Sequence, residues 1–527
     1  MNMLPIIYIR GYAGSTAGID AQVDDPFYGF NNGATHVRID DDGDPAFYQF
    51  EGPLVRLITD ERYELYVYGS QQRVLDDTSI AVSSNSLWIY RFYDEFATTF
   101  KSPPDENLVQ RFGSMFRRQV SAGGFNIEHA AQGLYDLVVQ VLARTGAPQV
   151  YLVAHSMGGL IARCMIQKVS QQGGRTPGRQ LVAKLFTYGT PHGGIRSTGG
   201  LAQWVEATFN PAGSDIFAPE LMQGYLDPAK KFGQESDKGW DPRVIADGSF
   251  DVNNIFCLVG TDPSDYGWGP ATVVGPKSDG LVRIENAYVQ SAHRAFVHKS
   301  HSGSYGEVNS EEGYQNLRRF LFGRWAVTAT LVGAQLPPGD VSYQLDMRLA
   351  IRGSSVVMSE QSTAHWCPIM LSNEPDPSQV PLVRTFLIDP GDRKDTSTPV
   401  ADRQMRHMLT LRLFAVHRPS GFFDFANATE QVPLWEDTLI IDVDPVSGGN
   451  GLAACAAWNS AVPGANQDPD PIISQLPPLQ QGLMTFRPSA GGGLQASVSL
   501  PAPPDRDCVL GSAAAVRFTV VERDQRQ

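Results

Sequence analysis

The chain has 527 residues, 42% of them hydrophobic, and a formal net charge of −14, with a pI near 5.2. That length accommodates two or three domains with packed cores. The acidic balance argues against nucleic acid or an anionic membrane surface as partner, and no apolar run is long enough to span a bilayer.

The five cysteines, at positions 164, 257, 367, 455 and 508, show no metal-ligand spacing. Cys164 and Cys257 are expected as buried thiols; a Cys455–Cys508 disulfide is conceivable but nothing in the spacing supports it. The N-terminus lacks the basic region of a signal peptide. A cytoplasmic location is therefore expected; removal of a leader would instead mean secretion.

Residues 4–9 are a short apolar run and predict the first strand; Arg10, Gly11, Tyr12, Ala13 and Gly14 then form a glycine-rich turn. The connection over residues 20–86 is long and holds aromatic and acidic clusters. One of these, Asp40, Asp41, Asp42 and Asp44, has the look of a calcium loop but lacks the downstream glutamate, so a solvated turn is expected. Residues 87–92 predict another strand. Ile127, Leu134, Leu137, Val138, Val141 and Leu142 have helical spacing over residues 127–145.

The most informative segment follows. Val150 to Ala154 are strand formers; then come His155, Ser156, Met157, Gly158 and Gly159, and a helical pattern predicted to reach residue 170. Strand, sharp turn and helix around a serine with small residues two positions to either side make a nucleophile elbow. Here the small residues are Ala154 and Gly158, an A-x-S-x-G version of the usual G-x-S-x-G. Gly159 is expected to let the helix pack close to the strand. The N-terminus of that helix would favour an oxyanion, with the Met157 N–H as one donor.

A strand over residues 182–188 ends in Gly189, Thr190, Pro191, His192, Gly193 and Gly194. The stretch 195–253 before the next strand is too long for a plain crossover. Its apolar residues, including Trp204, Phe209, Phe217, Met222 and Tyr225, suggest a cap or lid with an apolar acyl-binding wall. After a strand at 254–260 comes Asp262; further on come Ser278, Asp279, Gly280, Leu281 and Val282. Residues 294–298 predict the last strand of this region. A helix over 309–322 starts at Asn309 or Ser310, with Glu311 and Glu312 in its first turn.

A serine hydroxyl needs a histidine to take its proton, and that histidine needs an oriented carboxylate. His301, in the loop beyond the last strand and followed by small residues, is the expected base. His298, expected to be packed at the strand end, is the alternative, and His293 a distant third. Two acids compete for this role: Asp262, just after the strand at 254–260, and Asp279 further on; Asp262 and Asp265 also fit simple turn chemistry. His36 and His129 have no motif context.

These blocks resemble the α/β-hydrolase superfamily, in particular bacterial true lipases and, more loosely, acyltransferase-like lipases, over residues 1 to about 325. The resemblance implies the chain order Ser156, Asp279, His301, with Asp279 in the Asp-Gly-Leu-Val stretch that carries the acid of true lipases. It also implies a second oxyanion donor at Tyr12, although Arg10 stands where lipases have histidine, and a structural role for His192. Some relatives hold calcium near the histidine, but no full ligand set is matched here, so no metal and no cofactor are expected.

Beyond residue 325 short alternating apolar runs appear: Val341, Tyr343, Leu345, Met347 and Leu349; Leu409, Leu411 and Leu413; Val516, Phe518 and Val520. Turn-rich segments separate them. The expected architecture is an α/β-hydrolase with a mostly parallel sheet over residues 1–324, with the 195–253 cap insertion, followed by an all-β sandwich-like domain over 325–527. The expected activity is serine carboxylic-ester hydrolysis of a small-molecule, lipid or polymeric ester. Acyl transfer by the same triad and polyester depolymerisation are the alternatives, and a purely binding role is disfavoured by the complete motif set.

Overall fold

The computed structural model describes residues 3–11, 38–39, 45–46, 51–66, 71–90, 126–195, 214–264, 274–301, 306–338, 341–351, 356–373, 376, 378–388, 405–417, 430–445, 452–461, 484–489, 492–502 and 508–523. They fall into two compact units, residues 1–294 with 298–317, and residues 295–297 with 318–527. The division lies inside the helix Glu311–Phe322, slightly before the boundary read from composition.

The first unit is built on a seven-stranded sheet, of whose last strand residues 295–297 are grouped with the second unit. Its strands are β1 (Ile6–Ile9), β2 (Glu64–Tyr66), β3 (Ser86–Tyr90), β4 (Val150–His155), β5 (Val182–Tyr188), β6 (Ile255–Gly260) and β7 (His293–Val297). The spatial order is β2-β3-β1-β4-β5-β6-β7, and β2–β3, β3–β1, β1–β4, β4–β5 and β5–β6 all pair in parallel. The strands β1, β4, β5 and β6 are buried at every position. That is why their sequences are continuous apolar runs instead of alternating ones: a parallel sheet is covered on both faces.

The helices α1 (Glu51–Glu61), α2 (Ile127–Thr145), α3 (Met157–Gln167) and α4 (Pro219–Leu226) run between the strands, and α5 (Glu311–Phe322) follows the last of them. In α2 the side chain of Asn126 accepts from the N–H groups of Glu128 and His129, and Gly146 closes the helix in the left-handed conformation at φ 66°. Of the face predicted from spacing, Ile127, Leu134, Leu137, Val138 and Val141 are buried and Leu142 is half-buried. Helix α3 stops at Gln167, short of residue 170, and continues as the 3-10 turn Val169–Gln171. Ser310 caps α5 by accepting from the Gly313 N–H at 2.9 Å.

The second unit is a β-sandwich. One antiparallel sheet runs Gln379–Leu387, Trp325–Val332, Ala515–Glu522, Leu494–Ser499 and Arg487–Pro488; the other runs Val357–Gln361, Ser342–Ile351, Met405–His417, Glu430–Pro445 and Leu452–Trp458. Their inner faces share one core, in which Trp325, Leu331 and Phe518 of one sheet meet Leu345, Leu409 and Leu439 of the other. Every second residue of Ser342–Ile351 from Tyr343 to Leu349 is buried, the period-two signature that the sequence shows there.

Among the described residues, no helix is long and apolar enough to cross a membrane, and no disulfide joins Cys455 and Cys508. The Asp40–Asp44 cluster, His36 and Asp265 lie outside the described residues. His129 is exposed on α2.

Candidate active site

Ser156 stands between β4 and α3 with φ 52° and ψ −127°. A non-glycine residue in this region is strained by about 1–3 kcal/mol, and the surroundings must hold it there. They do so from three sides. The Ser156 N–H donates to Tyr188 O at 2.9 Å, and the Ser156 carbonyl accepts from the Gly159 N–H at 3.1 Å and from Thr190 Oγ1 at 2.9 Å. Strands β1 and β5 flank Ala154 through the pairs Ile9–Ala154 and Ala154–Thr187.

The small residues of the elbow have specific contacts. A Cβ at Gly158 would lie 2.7 Å from Ile9 O and 2.9 Å from Arg10 O. A Cβ at Gly159 would overlap the Thr190 hydroxyl. So it is Gly158 that lets the helix start come up to the end of β1, while Gly159 makes room for Thr190 in the Gly-Thr-Pro-His turn. Gly11, in the turn after β1, is equally tight: its Cβ would lie 2.7 Å from His155 Nδ1 and 3.1 Å from Ser156 Cβ. The chain after β1 therefore passes directly over the serine. Tyr12, the next residue, lies outside the described residues. Met157 opens α3 and is buried.

His301 brings two groups together. Its Nε2 lies 3.0 Å from Ser156 Oγ, and its Nδ1 lies 2.8 Å from Asp279 Oδ2. The His301 N–H also donates to Asp279 O at 2.8 Å, so side chain and backbone fix the same pair. Asp279 is fully buried. Its second oxygen, Oδ1, accepts from the N–H groups of Leu281 at 2.9 Å and Val282 at 2.7 Å. The Asp-Gly-Leu-Val turn thus wraps one carboxylate oxygen and aims the other at the imidazole.

The alternatives stand apart from this set. Asp262 Oδ1 accepts from the Ser264 N–H at 2.9 Å, with the Ser264 hydroxyl beside it; it is turn chemistry. Its Oδ2 lies 3.9 Å from His298 Nε2. The His298 side chain is 45% exposed, not packed as its sequence position suggested, because β7 ends one residue earlier, at Val297. His293 opens β7 and is buried. His192 is fully buried, with Nε2 3.1 Å from Thr187 Oγ1 and 3.5 Å from Cys257 Sγ. Burial, and then the nearby Arg163 guanidinium, hold its imidazole well below the usual histidine range. The ring braces the turn that follows β5 against Thr187 and Cys257.

One neighbour was not legible in the sequence. His155, in the elbow itself, has its Nε2 2.9 Å from His301 O and its ring 4.9 Å from the His301 ring. A carbonyl only accepts, so Nε2 carries the proton. Burial first, and then the positive potential of His301, push His155 well below the usual histidine range, which keeps a second positive charge away from the pair. The only sequence signal was its place immediately before the serine.

His155, His301 and Glu307 place ligand-type atoms within 4.8 Å of one another. Of these, His155 Nε2 and both His301 nitrogens are committed to hydrogen bonds.

In the part of the 195–253 insertion within the described residues, Phe217, Met222 and Tyr225 are buried. A Cβ at Gly194 would meet Phe217 O at 2.5 Å and Met222 Sδ at 3.0 Å. Phe217 and Met222 thus close on the end of the Gly-Thr-Pro-His-Gly-Gly turn. Trp204 and Phe209 lie outside the described residues.

Residues 93–208 match the family model described as "Putative serine esterase (DUF676)". None of the curated proteins matches the chain. Among solved structures, the chain is similar to "the putative cell surface hydrolase from Lactobacillus plantarum WCFS1", at 14% identity over 61% of this chain and 92% of that one, TM-score 0.28. It is also similar to the lin2722 gene product from Listeria innocua, at 15% identity over 60% of this chain and 94% of that one, TM-score 0.24. The order of the parallel sheet and the strained serine at the end of β4 are those of an α/β-hydrolase fold, and the segment around that serine is similar to a family of serine esterases.

Proposed function

We propose that the protein hydrolyses carboxylic esters through a Ser156–His301–Asp279 triad and an acyl-enzyme. The observation that carries this reading is the continuous chain Ser156 Oγ to His301 Nε2 at 3.0 Å and His301 Nδ1 to Asp279 Oδ2 at 2.8 Å, set at an elbow that holds the serine in a strained conformation.

In this reading Ser156 Oγ attacks the ester carbonyl while its proton passes to His301 Nε2. Asp279 keeps its charge, fixes the imidazole with Nδ1 protonated and offsets the imidazolium that forms. The carbonyl oxygen becomes an oxyanion at the N-terminus of α3. There the Met157 N–H and the dipole of the helix favour it, and Tyr12, next to the close-packed Gly11, is the second donor. His301 returns the proton to the leaving alcohol. Water then enters by the same route in reverse and releases the acid. The substrates proposed are acyl esters of lipid-like or other alcohols.

The test is turnover of a chain-length series of p-nitrophenyl esters by wild type and Ser156→Ala in parallel. Turnover that disappears in the variant supports the reading, and the preferred chain length separates esterase from lipase behaviour. A wild type inactive on every ester, or a variant as active as wild type, overturns it.

A further inference from the structure

Besides the triad, the first unit carries a groove of about 820 Å³. It lies against the Gly-Thr-Pro-His-Gly-Gly turn: Gly193 is part of its lining, and Thr190 of the same turn holds the Ser156 carbonyl. Its other walls are the start of α4 at Pro219 and Glu220, the irregular segment 236–243, and the 3-10 turn Ile284–Asn286 with Arg283 before it. None of the lining residues belongs to a strand. The volume is within the range of small-molecule sites, about 300–1,000 Å³.

The walls are fixed by their own hydrogen bonds. Asp241 Oδ1 accepts from the Arg243 N–H at 2.9 Å and from Arg243 Nε at 3.0 Å. Its Oδ2 accepts from Arg243 Nη2 at 2.8 Å and from Gln290 Nε2 at 2.7 Å. These bonds from Arg243 hold the Asp241 carboxyl below the usual carboxylate range, so it is ionised and its acceptors are used. Arg243 Nη1 donates to Glu285 O at 3.1 Å, which ties the segment to the 3-10 turn. On the α4 side the Ser236 N–H donates to Glu220 O at 2.6 Å, and Lys230 Nζ lies 2.6 Å from Asp237 Oδ1. The Gly193 N–H donates to Asn286 O at 2.8 Å. A Cβ at Gly193 would lie 2.5 Å from Asn286 Oδ1, so the glycine lets that amide lie against the turn.

Other lining groups stay available. Trp240 and Asn286 are half-buried, and Glu220, Lys238 and Arg283 are exposed. The side chains of Trp240, Asn286, Glu220 and Lys238 make no hydrogen bond to other described residues. The charges exclude several ligand classes. Four carboxylates line the groove, Glu220, Asp237, Asp241 and Glu285, against three cations, Lys238, Arg243 and Arg283. An anion would meet the carboxylates and a cation the bases, so the lining favours neither sign. An alkyl chain would strip water from these charges without replacing it. A peptide that adds itself as a strand needs a strand edge, and the lining has none. A neutral polyhydroxyl ring satisfies all of these conditions. Its hydroxyls donate and accept, which matches an amide, carboxylates and a guanidinium, and its C–H face packs on the apolar body of an indole.

We propose that this groove is a binding site for a neutral oligosaccharide, with Trp240 as the surface on which a sugar ring stacks and Asn286, Arg283 and Glu220 as hydrogen-bond partners of its hydroxyls. The frame of Asp241, Arg243 and Gln290 keeps the site in shape before a ligand arrives. Binding is non-covalent and needs no cofactor. The site belongs to the same unit as the triad, yet it goes beyond the ester-hydrolase reading and holds whether or not the triad turns over esters.

The test uses the full chain as Ser156→Ala, titrated in a calorimeter with maltotriose, cellotriose, xylotriose and triacetylchitotriose; sodium phosphate and spermidine are the charged probes. At least one of the neutral saccharides is expected to bind saturably, with a Kd of about 1 mM or tighter, and neither charged probe is. Adding Trp240→Ala should weaken that binding by about tenfold, the upper end of what an aromatic contact is worth, and Trp240→Phe should keep part of it. Asn286→Ala should weaken it about threefold to tenfold, as for the loss of one hydrogen bond. Thermal melts check that each variant is folded, and Asn286→Ala with Arg283→Ala carry the test if Trp240→Ala is not. No saturable binding of any of the neutral saccharides overturns the proposal. So does unchanged affinity in the folded variants, or a preference for phosphate or spermidine. Retained ester turnover in Ser156→Ala would strike the triad reading alone, and the two failures are thereby distinguished.

Discussion

His155 donates its Nε2–H to the carbonyl oxygen of His301, 2.9 Å away. The residue immediately before the candidate nucleophile thus holds the backbone of the candidate base, across a sequence separation of 145 between Ser156 and His301. A side chain that fills the same space without donating would leave that buried carbonyl unpaired, at a cost of about 1–3 kcal/mol. His155→Phe is therefore expected to lower kcat by more than tenfold with a smaller change in KM, and to melt earlier. His155→Gln, which can still donate, should recover part of both. Steady-state kinetics and thermal melts of the two variants check this.

The two candidate acids give opposite expectations. Asp262 serves the Ser264 turn, and its far oxygen lies 3.9 Å from an exposed histidine. Asp262→Asn should leave ester turnover within about threefold of wild type, since one turn hydrogen bond is worth about 1 kcal/mol. Asp279→Asn should cost at least about a hundredfold. Equal losses in the two variants would remove Asp279 from its special place.

Gly158 meets two backbone carbonyls at distances that no Cβ tolerates. Neither Ile9 O nor Arg10 O belongs to a flexible side chain, so the helix start must move. Gly158→Ala is expected to destabilise the protein by about 1–3 kcal/mol, and to reduce turnover further by displacing the Met157 N–H. Gly146→Ala, at a left-handed cap with no neighbour within 4 Å, should lose stability by about 1 kcal/mol and keep its turnover. Urea unfolding with parallel kinetics separates the two.

Acid should weaken the fold through His155 and His192. Both are buried, and burial depresses both below the ordinary histidine value. In the native state they are neutral, while in the unfolded chain they take up protons below about pH 6.5. The unfolded state then binds more protons, so stability falls as pH drops through that value and is regained above it. Melting temperatures from about pH 5 to about pH 8 should show this slope, and His192→Asn should make it shallower. A His192→Asn profile parallel to that of wild type would mean that the His192 ring is not held neutral.

Ser156 and His301 could be proposed from sequence because each sits in a local pattern set by short-range geometry, and Asp279 because its Asp-Gly-Leu-Val stretch resembles that of true lipases. The serine lies between small residues at a strand–helix turn, the aspartate in a Gly-containing turn that wraps its own oxygen, and the histidine in a loop just beyond a strand. The parallel strands were legible as unbroken apolar runs, and the sandwich strands as alternation. The burial of Glu307 and the roles of His155 and Thr190 were not legible, because they come from tertiary placement. Glu307 stands among polar residues just before a helix start and reads there as helix-entry chemistry; its burial depends on Gly189 and Gly260, far away in the chain. The packing of His298 was misjudged for a related reason: a strand end one residue early turns a side chain from the core to solvent.

The elbow conformation at Ser156 has a consequence for how the protein loses function. The serine is kept at φ 52° by atoms from β1, β5 and the Thr190 turn, none of them near it in sequence. Its reactivity is then a property of the assembled sheet, and no isolated strand–helix fragment should possess it. A fluorophosphonate probe that labels Ser156 would count intact sheets: on mild heating or in low denaturant, labelling should fade while helical circular dichroism is still largely retained.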